Sequence, residues 1–278
     1  MNLFVLYRDK SSPSARALTE AIKEQTEDLQ VIRGTVKSKY LRLRKFDYIL
    51  NVGNSLKCNF KGAVQIINHP DKIRTSANKK LARMRFKARK IPAPTLWLEA
   101  HSIPDYEFPV VGRTSYHMKA TGFWYCKNKT EALSAQRYGA THFMKFIKNT
   151  REFRAHVFST TLNPENVDDY VIGKLSEKKG SENAKDTIIK NYDNGYRFVS
   201  ASNKEPYVLE EVRELAKLAA FNFGLHYGGI DIIYSKDTGK TLILEINTTP
   251  CLTDDVSSTL DIYASKFIDL IGAKRVDE

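Results

Sequence analysis

Cysteine is scarce in this chain. Only Cys58, Cys126 and Cys251 occur, far apart and with no CxxC pair, which excludes a disulfide framework and the usual zinc and redox motifs. A reduced, cytoplasmic chain is the expectation. Long apolar runs are also missing. Nothing reaches the roughly 18 consecutive apolar residues of a spanning helix, so no membrane role is expected. The stretch NLFVLY at residues 2–7 is too short for a signal-peptide core and meets Arg8, Asp9 and Lys10 at once, so it reads as a strand. There is no G-x-S-x-G and no H-E-x-x-H. The histidines, at 69, 101, 117, 142, 156 and 226, show no metal-ligand spacing. No internal repeat or low-complexity tract is present.

What is present is a chain of 278 residues with 42% hydrophobic content, enough for one large domain or two or three small ones with real cores. Its net charge is +12. That excess serves simple solubility or an anionic partner, either nucleic acid or a phosphate- or carboxylate-rich small ligand.

Leu3–Tyr7, Tyr48–Val52 and Val64–Ile67 read as buried strands, and Pro13–Glu27 as a helix capped by Ser11 or Ser12. This order predicts a small α/β unit with parallel pairing. Lys72–Lys90 reads as one long basic helix with Ile73, Ala77, Leu81, Met84 and Ala88 as its apolar stripe. Its other faces carry Lys79, Lys80, Arg83, Arg85, Lys87 and Arg89, the obvious surface for an anionic partner. Ile91–Thr95 (IPAPT) forces extended backbone. Strands follow at Phe108–Arg113, Phe123–Cys126, Thr141–Ile147, Glu152–Phe158 and Tyr170–Leu175, with a short helix at Glu131–Tyr138. Residues 176–195 read as a mobile loop. Tyr207–Phe223 and Ser257–Ile271 are helices, the first with Val208, Val212, Leu215, Ala216 and Ala219 on one face.

The hairpin from Gly228 to Asn247 carries the chemistry. In Gly229–Ser235, Ile230, Ile232 and Tyr234 point one way and Asp231 and Ile233 the other. In Thr241–Asn247, Leu242, Leu244 and Ile246 share a face, and Ile243, Glu245 and Asn247 share the opposite one. A three-residue loop centred on Thr238, with Gly239 in the left-handed region, sets Asp231 opposite Glu245. A four-residue loop slips the register by one and breaks the opposition. Like charges facing across strands repel. A protonated carboxyl, a nearby lysine or a divalent cation offsets that repulsion, and the cation is the most economical. Asp231, Glu245 and the Asn247 carbonyl are hard oxygen donors suited to magnesium, or to manganese. A solvated acidic face is the other reading of the same pattern.

The stretch GLHYGGIDIIYSKDTGKTLILEINTTPCL is similar to the helix, Gly-x-Asp strand, hairpin and Glu-x-Asn-x-x-Pro segment of ATP-grasp enzymes. The chain resembles that family over residues 65 to 271, nearest to the RimK-type carboxylate–amine ligases. Lys79 precedes Pro92 of IPAPT by 13 residues, as a family lysine does, and the resemblance implies that Lys79 reaches ATP phosphates. Arg113 ends FPVVGR where a nucleotide-binding lysine usually stands. Arginine pairs with phosphate bidentately but is not an equivalent group. The following loop, TSYHMKATGFW, keeps only Gly122 of the glycines usual there. His117 and Lys119 are candidates to take over its phosphate contacts. Lys145, Phe146 and Ile147 match the hinge whose backbone holds adenine. Arg154 and Lys174 match the positions of groups directed at phosphate or the acyl intermediate. Asn68, Arg197 and Ser200 are candidates for the acceptor pocket.

The resemblance implies an α/β chain of ATP-grasp fold, with a small N-terminal α/β domain (1–68), a central subdomain (69–145) and a C-terminal subdomain with the metal site (146–278). It implies an ATP- and magnesium-dependent ligase that makes an amide bond through an acyl phosphate. Its substrates are then a small carboxylate and an amine, or a peptide or protein acceptor, and a homodimer is common among such ligases. The alternatives are a small-molecule kinase on the same fold and a noncatalytic ATP- or nucleic-acid-binding module.

Overall fold

Three sheets organise the chain. The structure, a computed structural model, describes residues 1–9, 12–58, 65–116, 122–185, 188–202, 204–249, 252 and 258–276. In the first sheet β1 (Asn2–Tyr7), β2 (Gln30–Gly34), β3 (Tyr48–Val52) and β4 (Gln65–Ile67) run parallel in the order β2-β1-β3-β4. Val64 lies outside the described residues. β2 is a strand that apolar patterning did not reveal, because QVIRG offers only two strongly apolar residues. Helix α1 (Pro13–Glu24) follows β1, and the Ser12 hydroxyl caps it by accepting from the Ala15 N–H. The short α2 (Lys39–Leu43) anchors Leu41 beneath the other sheet face beside Phe4, Leu6 and Ile49.

The predicted helix Lys72–Lys90 is two helices, α3 (Pro70–Ala77) and α4 (Lys79–Ala88). Asn78 separates them. Its backbone is extended (φ −79°, ψ 107°), and its side chain accepts from the Leu81 N–H as the N-cap of α4. That break resets the helical phase. Ile73 of α3 is buried as read, but in α4 Ala82, Arg83 and Phe86 turn inward while Leu81 and Met84 are 43% and 42% exposed, so the part of the apolar stripe in α4 lies on the wrong face.

The second sheet has the order β5-β8-β6-β7, from β5 (Leu96–Trp97), β6 (Val110–Arg113), β7 (Phe123–Cys126) and β8 (His142–Lys145). α5 (Lys129–Arg137) packs on it through Ala132 and Ala135 beside Phe143. The third sheet is antiparallel, ordered β11-β10-β9-β12-β13. It contains β9 (Thr150–Ser159), β10 (Tyr170–Gly180), β11 (Tyr196–Ser200), β12 (Tyr227–Ser235) and β13 (Lys240–Asn247). Residues 176–195 are therefore not one loop. β10 continues to Gly180 through SEKKG, whose polar side chains had hidden it, and pairs with β11.

α6 (Pro206–Phe223) lays Val208, Val212, Leu215, Ala216 and Ala219 against one face of this sheet, as its periodicity predicts. Phe86 of α4 joins that core against Phe223, ring centroids 5.3 Å apart. α7 (Ser258–Ile271) fills the space between the first and third sheets, where Tyr263 and Phe267 pack on Phe158 and Tyr227. Two contacts fix that junction. Asn68 Nδ2 donates to the Tyr227 carbonyl, and Asn68 Oδ1 accepts from the His226 N–H at 2.7 Å. Gly53 (φ 72°) approaches Thr249 so closely that a Cβ would stand 1.6 Å from its hydroxyl oxygen. Among the described residues, no helix is long and apolar enough to cross a membrane.

Candidate active site

The hairpin β12–β13 is closed by four residues, since Ser235 pairs with Lys240. The three-residue loop expected from the sequence is not formed, although Gly239 does take the left-handed conformation (φ 65°). This register carries Ile232 opposite Ile243 and, continued, would set Asp231 against Leu244. A β-bulge intervenes. Leu244 drops out of the ladder, and the pairing resumes with Asp231 opposite Glu245 and Gly229 opposite Asn247. The bulge also shifts the alternation. Ile243 and Ile246 enter the core, against the prediction that Ile243 shares a face with Glu245, while Leu244 and Glu245 both border a cavity.

β13 is an edge strand, and α4 covers part of its edge. Arg83 Nη1 donates to the Ile243 carbonyl at 2.9 Å, and Nη2 donates to the Leu244 carbonyl. One guanidinium thus holds both carbonyls flanking the bulge. Arg83 is 6% exposed rather than part of a solvated basic face. Burial lowers its pKa to about 10, against the pull of Glu245.

Each carboxylate of the facing pair has a cation. Arg154 on β9 donates to both Asp231 oxygens, Nε to Oδ1 at 2.7 Å and Nη2 to Oδ2 at 2.8 Å. Lys79, the first residue of α4, donates from Nζ to Glu245 Oε2 at 2.8 Å. Asn247 Nδ2 bridges the two acids, reaching Asp231 Oδ2 at 3.1 Å and Glu245 Oε1 at 3.2 Å. Burial pushes the Glu245 carboxyl up, but Lys79, Arg113 and Arg154 outweigh it and hold the group well below the usual carboxylate range. Burial likewise opposes the Arg154 charge, yet Asp231 and Glu245 leave its pKa raised.

These groups form one wall of a cavity of about 750 Å³ between the second and third sheets. Lys79, Arg113, Arg154, Asp231 and Glu245 all line it. Arg113, at the end of β6, rests its guanidinium carbon 5.2 Å from the Phe123 ring centroid. The apolar part contains Val111, Met144, Ile189 and Leu244, next to Lys145, Phe146 and Ile147. In this last segment the Lys145 N–H donates to Thr95 and the Phe146 N–H to Pro109. The Ile147 N–H has no backbone acceptor among the described residues.

Not every candidate reaches the cavity. Lys174 donates to Thr259 Oγ1 of α7 at 2.5 Å and does not line it. Asn68 is spent on the junction with β12. Arg197 lies over the Tyr192 ring and, like Ser200, is on β11 away from the cavity. His117 and Lys119 lie outside the described residues. Several lining residues were overlooked, among them Glu152, Lys178 and Lys190. Glu152 and Lys178 form an ion pair in the cavity. Alternation from Arg154 would have placed Glu152 on the same face, whereas Lys178 fell in the segment read as a loop. Burial raises the Glu152 pKa against Lys178, and Asp231 and Glu245 add to the rise. The expected basic surface of 72–90 is only half formed, since Lys79, Arg83 and Arg85 are committed inward or to neighbours while Lys87 and Arg89 stay exposed. Arg74 pairs with Asp71, Lys79 with Glu245, and Arg85 donates to the Asn222 carbonyl.

No protein-family model matches the chain, and no curated protein matches it in sequence. Solved structures do. D-alanine–D-alanine ligase from Bacillus anthracis superposes with TM-score 0.67 at 12% identity, covering 98% of this chain and 97% of that one. The same enzyme complexed with ATP gives 0.64 at 12% identity and the same coverage. VanG D-Ala:D-Ser ligase from Enterococcus faecalis gives 0.69 at 12% identity, covering 98% of each chain. At this identity the likeness is one of fold. The chain has the ATP-grasp fold of these ligases over nearly its whole length, a small N-terminal α/β sheet followed by two α+β units.

Proposed function

We propose that the protein is an ATP- and magnesium-dependent carboxylate–amine ligase, made of the parts 1–68, 69–145 and 146–278. The observation that carries this reading is the single cavity joining Lys79, Arg113 and Arg154 to Asp231 and Glu245 in a chain of ligase fold. The ATP complex of the Bacillus anthracis enzyme supports ATP as co-substrate. The closer likeness to RimK-type ligases rests on the stretch GLHYGGIDIIYSKDTGKTLILEINTTPCL.

The donor set suits magnesium. Two carboxylates and a carboxamide oxygen on neighbouring strands are hard ligands, and magnesium completes such a set with water and phosphate oxygens. Asn247 would be the third donor once its amide turns to present Oδ1, since Nδ2 faces both acids here. Magnesium held by Asp231, Glu245 and Asn247 would neutralise phosphate charge. Lys79 and Arg113 hold phosphate oxygens, and Arg154 faces the acyl phosphate. The Ile147 N–H is offered to the base, beside the apolar wall of Val111, Met144 and Leu244. In the reaction a carboxylate oxygen attacks the γ-phosphorus and ADP leaves. The amine then attacks the acyl carbon, loses a proton, and inorganic phosphate departs. Positioning and charge neutralisation do this work without a protein nucleophile.

The test incubates the protein with magnesium, ATP and a panel of amino acids and polyamines, reading phosphate release and new amide mass together. Amide formation coupled to phosphate release supports the ligase. Phosphate transferred to an alcohol instead identifies a kinase on the same fold.

A nucleic-acid-binding role draws on one observation. Lys37, Lys39, Arg42, Arg44 and Lys45 are all exposed around α2, none in an ion pair among the described residues. Binding that falls steeply with salt, by about one log unit per tenfold rise in salt for each phosphate contact, supports that role, and its absence removes it.

A further inference from the structure

All four oxygens of the facing carboxylates are already engaged by the chain. Arg154 takes Oδ1 and Oδ2 of Asp231, Asn247 takes Asp231 Oδ2 and Glu245 Oε1, and Lys79 takes Glu245 Oε2. These are the oxygens a divalent ion needs. We infer that Lys79 and Arg154 are resident counter-cations that the metal must displace, so that metal and polyphosphate bind as a coupled pair. This rests on the metal and nucleotide reading given above.

The charge balance explains the coupling. Lys79, Arg83, Arg113 and Arg154 face Asp231 and Glu245 at this wall, which is therefore positive before anything binds. A divalent ion arriving alone takes the carboxylates from Lys79 and Arg154 and adds charge of the same sign. Lys79 is then left without a carboxylate, and Arg154 with only Glu152, itself paired with Lys178, beside apolar Ile233, Leu244 and Ile246, where water screens poorly. A polyphosphate arriving with the metal supplies new oxygens to the released cations. Lys79 has the reach for such an exchange, since its ammonium is a point charge on a flexible stem. By linkage, nucleotide must tighten metal binding by the same factor as metal tightens nucleotide binding.

Manganese is the probe, with its binding to the full chain followed by electron paramagnetic resonance, with and without a nonhydrolysable ATP analogue. Wild type is expected to bind manganese weakly alone and about tenfold or more tightly with the analogue. Lys79→Met removes the competitor. It should bind manganese alone several-fold more tightly than wild type and gain less from the analogue. A lysine that merely shapes the fold would move affinity the other way. Lys79→Gln carries the same expectation and serves if the Met variant unfolds. Manganese binding alone that is unchanged or weaker in a folded Lys79 variant overturns the inference. Glu245→Gln separates the two ideas. Loss of manganese binding in that variant upholds the metal assignment whatever the Lys79 variants do. Binding equal to wild type removes the assignment and the exchange together.

Discussion

Asp231 faces Glu245 across β12 and β13 because Leu244, beside Glu245, is pushed out of the ladder. The four-residue turn shifts the hairpin by one position, and the bulge returns it. Arg83 holds the carbonyls on either side of that correction. The facing acids therefore depend on a residue of α4, far away in sequence, as much as on the turn that joins their strands.

Glu245→Gln is expected to abolish magnesium-dependent ATP hydrolysis while the chain stays folded, because one hard anionic donor is lost with little change of shape. Phosphate-release kinetics alongside circular dichroism decide it. Full activity in a folded variant would refute the metal assignment.

Arg83→Met strands two edge-strand carbonyls near the bulge. The expected loss is about 1–3 kcal/mol in urea unfolding, with weaker manganese binding as the bulge loosens. Arg83→Lys should recover only part of this, because an ammonium lacks the planar fork that spans both carbonyls. Unchanged stability in both variants would show that the bulge stands without the clamp.

Phe86→Ala should cost about 3–5 kcal/mol, since its ring is buried against Phe223. Met84→Ala, on the exposed side of the same helix, should stay within about 0.5 kcal/mol. Equal losses would mean that α3 and α4 form one continuous helix in solution.

Acid should destabilise the protein through Glu245. Its folded-state pKa lies below the ordinary 4.5, so its contribution is complete above pH 4.5 and is lost as pH falls through the folded value. Glu152 acts in the opposite sense. Its folded-state pKa is raised above 4.5, so its contribution is present below pH 4.5 and is lost as pH rises through the folded value. Unfolding midpoints measured across this range should fall more gently in Glu245→Gln and more steeply in Glu152→Gln. Parallel profiles for all three proteins would contradict the assigned shifts.

Much of this architecture was written in local pattern. The buried runs at β1 and β3, the apolar face of α6 and the cap at Ser12 each depend on neighbours in sequence, and each formed as read. The opposition of Asp231 and Glu245 was also legible, though through an expected loop that did not form. What local pattern missed has a common cause. Asn78 interrupts an unbroken helical periodicity, because one side chain capping a new helix outweighs a continuous stripe. The end of β10, SEKKG, pairs with β11 although its side chains are polar, because backbone hydrogen bonds hold that ladder.

The sequence by itself determined most of the apolar elements, their order and the chemical identity of the acidic pair, since propensity and side-chain alternation act over a few residues. Tertiary structure decided which cations serve that pair. Lys79, Arg83 and Arg154 looked alike as basic residues on helix or strand. One came to rest on Glu245, one on the bulge and one on Asp231, because burial forces every charge and every edge carbonyl to find a partner.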